Sequence, residues 1–394
     1  MTQLSGFAVS WFFAPYVGSA DIDFYKRIKN TDISYLVVQV ARENRDARLM
    51  RHAGRATIER IEIDADHRNP RSVAARTKFS DEVVEIFERS DRKFDFLISH
   101  SNELISHHAA ARIKEKHPAL PWIAYFGDLF EKNPYIPHMR GYPLIKEDTE
   151  IEHNALRQAD MIMLNNEYQR ELMFAGEFAQ YAHKAVVIPH CFDPAMYEPP
   201  APREPGKFIF AHLGTLYHVK RTASPVLQAV DRLLEIYPEY RNRFEVHFYG
   251  GSPYPIDVDA HRDMRFRDHV RFEHGVSYIE SLSIMAQSDV LILIDGMFDA
   301  EDGLKSSPFF ACKLADYMGA DKPILAVTMP SGPAADIMNK SGNLVADLRI
   351  DRIAYVMKRY LDRKVDVDRS VYAEYSIDVT APQMDTAIRS IIKA

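Results

Sequence analysis

The sequence has only two cysteines and no apolar run long enough to cross a membrane. Cys191 and Cys312 lie far apart in a chain of 394 residues, next to apolar residues. This placement favours two buried or half-buried thiols in a reducing compartment over a disulfide. A membrane helix needs about 20 apolar residues, and the segment Met1 to Tyr16 lacks the basic start of a signal peptide. We therefore expect a cytoplasmic protein without a transmembrane segment.

The sequence also lacks an excess of basic residues. Its net charge is -7, and its Lys and Arg residues are spread along the chain, which argues against a nucleic acid as the partner. Its histidines show no zinc-like spacing. Neither Asp257-Val-Asp259 nor Asp21-Ile-Asp23 stands at a strand end suited to a metal-dependent transferase. We expect no metal site.

Size and patterning predict two α/β domains. The length exceeds what one core usually supports, and short apolar runs alternate with longer amphipathic stretches, as in parallel α/β folds. We predict an N-terminal domain over residues 1–195, a proline-rich linker over 196–206, a C-terminal domain over 207–375 and a final helix region over 376–394. The fold class is α/β, with two Rossmann-like doubly wound domains facing a central cleft.

Individual elements follow from the same patterns. Strands are predicted at residues 6–12, 34–40, 60–63, 94–99, 122–126, 161–164, 185–188, 208–213, 244–249, 270–272, 290–294 and 324–327. We expect the strands of the first half to be buried on both faces. Helices are predicted at residues 80–89, 103–116, 148–159, 167–173, 225–236, 278–287, 308–318, 334–340, 351–361 and 381–393, the last after a break near Val379-Thr380.

One segment of the second half has the features of an anion site. A buried strand ends at Gly214, a loop follows, and Lys220-Arg221 are predicted to open a helix. A helix N-terminus presents free N–H groups and the positive end of the dipole. Two cations beside it would complete a pyrophosphate site. The alternative is that Lys220 and Arg221 are only solvated residues of a first turn.

A second segment carries a paired lysine and aspartate. Lys313 and Asp316 are three residues apart, and therefore lie on one face of a predicted helix. Asp316 could accept both hydroxyls of a ribose, as acids do in other nucleotide sites. An ordinary surface salt bridge is the alternative interpretation of this pair.

Together these segments resemble the C-terminal half of family 4 retaining glycosyltransferases, which have the GT-B fold. The resemblance covers about residues 5 to 390 and rests on segments in a family-like order: 95–100, 121–130, 159–163, 187–193, 214–220, 249–251, 272–276, 313–318 and 322–325. It implies a metal-independent transferase whose nucleotide-sugar donor is a substrate, so that no cofactor is expected. It also implies that the final helix packs on the N-terminal domain.

The resemblance assigns roles to residues of the C-terminal half. It implies that Lys220 contacts the donor diphosphate, with Arg221 assisting, and that Asp316 holds the ribose. It implies that the backbone of Gly275 and Val276 reads the nucleobase. The remaining donor-binding residues that we expect in this half are Gly214, Thr215, Tyr249, Gly250 and Lys313.

Two positions depart from the family pattern. Pro308 stands where the family has the first acid of its glutamate pair, and Thr215 stands where an arginine often follows the glycine. The first departure leaves the choice of sugar open. Glu301 and Asp302, a few residues upstream, could supply a replacement carboxylate.

The N-terminal half is expected to bind the acceptor. His100 and Asp128 each follow a predicted strand, and such strand ends point into the crevice where ligands bind. We name both as candidate catalytic residues beside Lys220 and Arg221. The alternatives are that His100 caps the next helix and that Asp128 is a turn residue. Gly18 follows the first strand in a small-residue loop that could approach the donor phosphate.

The function that this pattern implies is sugar transfer, with retention, from a UDP- or GDP-linked sugar to a saccharide or lipid-linked saccharide. Bacterial relatives commonly build surface polysaccharides, so peripheral contact with the inner face of the membrane is expected. The loop from Lys132 to Tyr142 could provide that contact or be an ordinary exposed loop. A nucleotide-sugar epimerase and a catalytically inactive binding subunit of a polysaccharide assembly complex are the alternatives.

Overall fold

The computed structural model of the protein describes residues 3–66, 68–101, 103–136, 144–198, 206–217, 220–251, 253–298 and 301–392. The chain divides into two compact units, of which the first contains Met1–Cys191 and Ile377–Ala394 and the second contains Phe192–Ser376. Residues 199–205 of the predicted linker and residues 137–142 of the predicted contact loop lie outside the described residues. None of the described helices is long and apolar enough to span a membrane.

The first unit is built on a parallel sheet. Its strands are β1 (Leu4–Ser10), β2 (Ile33–Val40), β3 (Thr57–Ile63), β4 (Phe96–His100), β5 (Trp122–Tyr125), β6 (Met161–Leu164) and β7 (Ala185–Val187). Its first five helices are α1 (Ser19–Lys29), α2 (Val73–Arg89), α3 (Ile105–Lys116), α4 (Ile145–Gln158) and α5 (Glu167–Met173). The strand order is β3-β2-β1-β4-β5-β6-β7. Phe7 and Val9 of β1 enter one apolar core and Ala8 enters another, so the centre of the sheet is buried on both faces.

The edge strand β3 differs from the expectation that every strand is buried on both faces. All of its residues from Thr57 to Glu62 are exposed or half-buried, and only Ile63 is buried. The reason is its position, because β3 pairs with β2 on one side and ends the sheet. Its guanidinium-bearing residue Arg60 lies over the ring of Phe13, 5.5 Å from the ring centroid.

The second unit repeats the plan with six parallel strands. They are β8 (Phe208–Leu213), β9 (Phe244–Tyr249), β10 (Val270–Glu273), β11 (Val290–Ile294), β12 (Ile324–Val327) and β13 (Leu344–Ala346). The helices are α6 (Ser224–Ile236), α7 (Pro255–Arg262), α8 (Tyr278–Gln287), α9 (Cys312–Gly319), α10 (Pro333–Ser341) and α11 (Ile350–Leu361). The strand order is β10-β9-β8-β11-β12-β13. Helices α6 and α11 supply much of one core, with Leu227, Val230, Ile353 and Met357 buried.

The last helix, α12 (Ile377–Ile392), belongs to the first unit. The predicted break near Val379-Thr380 is wrong, because the helix runs through it with Pro382 inside. Burial explains the continuity, since Ile377 and Thr380 are each 1% exposed. The side chain of Asp385 also accepts a hydrogen bond of 3.1 Å from the backbone N–H of Asp32, just after α1.

Both sheets reverse their strand order at one place. The chain winds outward from β1 through β2 to β3 and then returns to the other side of β1 with β4. The second unit does the same at β8 and β11. In parallel α/β sheets, ligands bind outside the carboxyl ends of the strands at such a reversal. The residues just after β1, β4, β8 and β11 are therefore the first place to look for a site.

Candidate functional site

Glycines follow the neighbouring strands β8 and β9 at their carboxyl ends, and other atoms lie close to both. Gly214 follows β8 with a φ of 113°, and a Cβ on it would lie 2.8 Å from Lys313 Nζ. Gly250 follows β9, and a Cβ there would lie 2.9 Å from the carbonyl oxygen of Gly214. Gly214 and Thr215 are exposed. The edge thus presents accessible backbone that a ligand can approach closely.

The two cations that follow do not open a helix, so that part of the prediction is wrong. Tyr217 and Arg221 instead form an antiparallel bridge. The backbone nitrogen of Tyr217 lies 2.7 Å from the carbonyl oxygen of Arg221, and the backbone nitrogen of Arg221 lies 3.1 Å from the carbonyl oxygen of Tyr217. The guanidinium of Arg221 also lies over the ring of Tyr217, 4.9 Å from its centroid. Helix α6 begins only at Ser224. Lys220 and Arg221 are loop residues, and a tight bridge fixes their direction.

The N-terminus of α6 already has an acidic partner. Asp257, which is fully buried, accepts hydrogen bonds of 2.8 and 3.1 Å from the backbone N–H groups of Ala223 and Ser224. A carboxylate at this place satisfies the free N–H groups and complements the helix dipole. The α6 N-terminus therefore does not supply the predicted diphosphate site. The prediction of such a site now depends on Lys220 and Arg221 alone.

Each of the two loop cations pairs with an aspartate. Lys220 Nζ lies 2.7 Å from Asp302 Oδ2, and Arg221 Nη2 lies 3.0 Å from Asp295 Oδ1. Asp302, which the sequence offered as a replacement carboxylate, thus lies against Lys220. Asp295 follows β11 at the reversal, is 1% exposed, and accepts a further 3.3 Å hydrogen bond from the Ser307 hydroxyl. Sequence reasoning missed Asp295, although its position directly after a buried strand was a signal.

Lys313 has a different kind of partner. Its Nζ lies 3.3 Å from Nε2 of His212, a fully buried residue of β8. The other ring nitrogen of His212 lies 2.9 Å from the carbonyl oxygen of Ile292 in β11. Burial and the nearby Lys313 hold the pKa of His212 well below its usual range, and burial lowers the pKa of Lys313 to about 7. The sequence did not single out His212.

Asp316 is held by two tyrosines. Its Oδ1 accepts a 2.8 Å hydrogen bond from the Tyr278 hydroxyl, and its backbone carbonyl accepts one of 2.8 Å from Tyr197. The carboxylate is 5% exposed. Within the part of the chain that the structure describes, Lys313 and Asp316 form no salt bridge, which removes the surface-pair alternative.

Helix α9 begins later than predicted. It starts at Cys312, four residues after Pro308. The intervening segment is not helical, and its two phenylalanines are buried in separate contacts. The ring of Phe309 lies 5.7 Å from that of Phe298, and the ring of Phe310 lies 5.6 Å from that of Tyr375. Pro308 is thus part of a packed loop rather than of a helix.

The predicted nucleobase loop lies on the next strand of the same edge. Gly275 and Val276 separate β10 from α8, and a Cβ at Gly275 would lie 3.2 Å from the Gly250 carbonyl oxygen. A capping box between Ser277 and Glu280 starts α8 directly afterwards. Tyr249, at the end of β9, is half-buried. The structure thus brings Tyr249, Gly250 and Gly275 to the edge that carries Gly214.

In the first unit, His100 lies at the corresponding reversal. Its Nδ1 is 3.1 Å from Oγ of Ser10, the last residue of β1. The imidazole lies between the rings of Phe24 and Tyr125, with centroids 4.7 and 5.0 Å away, and is 1% exposed. Burial lowers its pKa to about 3. His100 does not cap α3, whose N-cap is Leu104, so that alternative is wrong.

The other two predicted residues of the first unit are less enclosed. Asp128 is exposed and follows β5 by three residues. Gly18 is the N-cap of α1, a helix that the sequence analysis did not predict, and a Cβ there would collide with the Asp21 carboxylate. Burial raises the pKa of Asp21 to about 7.

Beneath His100 lies a buried polar network that sequence reasoning missed. Arg27 of α1 donates to Asp23 at 2.6 Å and to the side chain of Asn165 at 2.9 Å. Asp23 also accepts a 2.7 Å hydrogen bond from Tyr125 and lies 2.9 Å from His190. The i,i+4 spacing of Asp23 and Arg27 was the available signal. This network fixes buried polar side chains near the carboxyl ends of the first unit's strands.

Cys191 and Cys312 form no disulfide with each other, as the sequence predicted, and Cys191 is buried while Cys312 is half-buried. In the second unit Lys313 lies against Gly214 and faces Arg221, and Lys220 directly precedes Arg221 in the loop after β8. Cations grouped at one end of a sheet suit a diphosphate, whose charge needs several donors.

Comparisons with known proteins give a fold. No family model matches the chain. No curated protein matches it in sequence either. Solved structures do match: Anabaena Alr3699/HepE, in complex with UDP and glucose, has a TM-score of 0.65 and 13% identity over 98% of this chain and 100% of its own. The lipopolysaccharide outer core galactosyltransferase WaaB has a TM-score of 0.62 and 13% identity over 98% and 99%. An α,α-trehalose 6-phosphate synthase from Burkholderia multivorans has a TM-score of 0.65 and 12% identity over 100% and 99%. The chain has the GT-B fold of these enzymes along its whole length.

Proposed function

We propose that the protein is a glycosyltransferase that moves a sugar from a UDP- or GDP-linked donor to the hydroxyl of a saccharide or lipid-linked saccharide, with retention. The observation that carries the proposal is the set of cations at the strand reversal of the second unit. Lys313 lies against Gly214 and faces Arg221, and Lys220 directly precedes Arg221 in the loop after β8. The fold shared with HepE, solved with UDP and glucose, supports the same assignment.

The cations have a direct task in such a reaction. When the sugar leaves, negative charge grows on the diphosphate, and preorganised cations stabilise that charge without rearrangement. Lys220 and Arg221 are held in place by Asp302 and Asp295 before any ligand arrives. We assign to them the role that a metal ion has in other transferases. The donor is then a substrate, and the reaction needs no cofactor.

The remaining donor contacts follow from the strand ends. Asp316 would accept the ribose hydroxyls, since Tyr278 and Tyr197 fix its carboxylate and its backbone. Gly275, Val276, Tyr249 and Gly250 would border the nucleobase and ribose.

We assign the acceptor to the first unit. His100, with a pKa of about 3, is a poor general base at neutral pH. It would therefore hold an acceptor or sugar hydroxyl by a hydrogen bond, and Asp128 would provide an exposed carboxylate beyond β5. The relative WaaB is a lipopolysaccharide core galactosyltransferase, which supports cell-surface polysaccharide synthesis at the inner face of a bacterial membrane as the setting.

Donor consumption tests this proposal. The purified protein is incubated with a panel of UDP- and GDP-sugars, with and without saccharide acceptors, and free UDP or GDP is measured. We expect one donor to be consumed, and Lys220→Ala to reduce its consumption at least tenfold. Lys207→Ala is the matched control. Lys207 directly precedes β8, at the amino end of that strand, and forms a similar 2.9 Å pair with Glu245. Equal loss in both variants would contradict the assignment of Lys220.

A binding subunit without transfer activity is the second candidate. Pro308 favours it, because no carboxylate stands where the family places the acid that faces the donor sugar. Nucleotide binding without donor consumption, by hydrolysis or transfer, would support this candidate. Release of a free epimerised nucleotide sugar would instead indicate an epimerase.

A further inference from the structure

The contact between Lys313 and His212 has a defined direction. The carbonyl oxygen of Ile292 can only accept a hydrogen bond, so Nδ1 of His212, 2.9 Å away, carries the proton. Since the buried ring is neutral, Nε2 is left as an acceptor. Lys313 Nζ, 3.3 Å from Nε2, is therefore the donor. The sheet itself fixes the tautomer of His212, because Ile292 belongs to the strand β11 beside β8.

Lys313 differs from the other two cations in its electrostatic surroundings. Lys220 and Arg221 are each matched by a carboxylate, whereas Lys313 forms no ion pair among the described residues and has a neutral imidazole as its partner. The charged or titratable groups that face it are His212 of β8, Arg221 before α6, Asp295 after β11 and Cys312 on its own helix. Burial and Arg221 disfavour its positive charge, and Asp295 only partly offsets them.

The amine lies directly against the backbone where we place the diphosphate. A Cβ on Gly214 would come within 2.8 Å of Lys313 Nζ and 2.9 Å of its Cε. Because Gly214 is exposed, an anion bound at that backbone would contact the amine. An anion is also the missing group that would favour the charged form of this lysine.

We propose that Lys313 is a proton-loading cation, which takes up a proton when the diphosphate of the nucleotide sugar binds, and that His212 is the residue that positions it. This inference rests on the proposed function of the site. The lone pair of the Lys313 amine gains a proton from solvent, and the ammonium group then donates to His212 Nε2 and to a phosphoryl oxygen. No bond of the donor changes in this step. Donor affinity should therefore fall as the pH rises.

Calorimetry measures the proton directly. UDP-glucose and GDP-mannose are suitable probes because their diphosphates carry no group that titrates near neutral pH. Binding is measured at pH 7.5 in two buffers with different ionisation enthalpies. With Lys313 titrating near pH 7 in the free protein, we expect uptake of about 0.8 proton and a loss of affinity of about 30-fold between pH 6 and pH 8.5.

Variants at the two positions separate the roles. Lys313→Arg keeps the charge but removes the titration, so it should bind the probe with no proton uptake and no such dependence on pH. His212→Asn leaves an amide near the Ile292 carbonyl but brings no acceptor to Lys313, and should lower affinity about tenfold. His212→Gln can place an oxygen near the former Nε2 and should restore most of the affinity. Equal affinities for the Asn and Gln variants would contradict the positioning role.

A measurement on the free protein keeps the outcomes distinct. The rate of acetylation of Lys313 by acetic anhydride is followed against pH by peptide mass spectrometry, with the exposed Lys305 as the reference in the same digest. Half-maximal reactivity near pH 7, together with proton uptake on binding, supports the inference. Probe binding without proton uptake overturns the inference and leaves the proposed function standing. Binding of neither probe overturns both.

Discussion

Arg221 Nη2 lies 3.0 Å from Asp295 Oδ1. Arg221 comes after β8 and Asp295 comes after β11, the two strands between which the second sheet reverses its order. Both side chains are at least nine-tenths buried, at 9% and 1% exposure. The bridge before α6 fixes one partner and the end of β11 fixes the other. The pair thus ties the cationic loop to the centre of the sheet.

Removing one partner of this pair should cost considerable stability. We expect Asp295→Ala to lower the free energy of unfolding by about 3–5 kcal/mol, because Arg221 would remain buried without its carboxylate. Urea unfolding followed by circular dichroism measures the change. The control is Asp351→Ala, which removes an exposed pair with Arg232 at 2.7 Å and should leave the urea midpoint unchanged. Similar losses for both variants would contradict the account.

The cap of α6 should contribute to stability and not to nucleotide binding. Asp257→Ala removes the acceptor for Ala223 and Ser224 and should lower the free energy of unfolding by about 1–2 kcal/mol. Asp257→Asn keeps an acceptor and should lose less. UDP or GDP affinity should stay unchanged in both variants, since we place the diphosphate at the loop cations. A large loss of nucleotide affinity in folded Asp257→Asn would show that the helix N-terminus forms part of the site after all.

A side chain at Gly214 should act through Lys313. Gly214→Ala would introduce a methyl group where Lys313 Nζ lies, and because that amine is the flexible end of its side chain it would move away. We expect the substitution to weaken nucleotide binding in the wild type but to add little in a Lys313→Ala background, a non-additivity that marks contact. The control is Gly176→Ala, at a glycine whose φ is also positive, at 72°, and where an added Cβ would have no atom within 4 Å. It should cost about 1 kcal/mol of stability and no affinity.

His100 should make the first unit sensitive to acid. The folded-state pKa of about 3 lies below the usual 6.5, so below pH 6.5 the unfolded chain binds a proton that the native state refuses. The contribution is fully present above pH 6.5 and is lost as the pH falls toward 3, at about 1.4 kcal/mol per pH unit. Urea unfolding at pH 7, 6 and 5 should show a shallower loss for His100→Phe than for the wild type. The exposed residue His183 provides the control, and His183→Gln should keep the wild-type slope.

Much of the fold could be predicted because its strands are short apolar runs. The predicted strands 208–213, 244–249, 290–294 and 324–327 have the bounds that the structure shows. Charged residues or glycines flank the first three of these buried parallel strands, so the sequence indicates where each of them begins and ends. The two-unit α/β class followed from the same runs.

Two of the elements that were missed, α1 and β13, depart from simple periodicity. Helix α1 buries Asp21, Asp23, Lys26, Arg27 and Lys29, each at most 2% exposed, so it shows no polar face to recognise. Strand β13 has three residues, of which two are half-buried. In both, tertiary contacts rather than local pattern determine the structure.

The candidate site was predictable in part for a related reason. Lys220, Arg221, Lys313 and Gly214 belong to local motifs, and the structure places Lys313 against Gly214 and near Arg221. The roles of their partners depend on strand order, which a single sequence does not display. His212 and Asp295 are such partners, since they meet Lys313 and Arg221 only when β8 and β11 are neighbours.

Calorimetric binding of UDP and GDP, without added metal, to the wild type and to Lys220→Ala tests the central claim most directly. We predict that the wild type binds one nucleotide and that Lys220→Ala weakens this binding by about 1.5–3 kcal/mol, the range for a charge-assisted hydrogen bond. Lys207→Ala, the control at the amino end of β8, should bind the nucleotide as tightly as the wild type does. If the wild type binds neither nucleotide, or if Lys220→Ala binds as tightly as the wild type, the donor site is not where we place it.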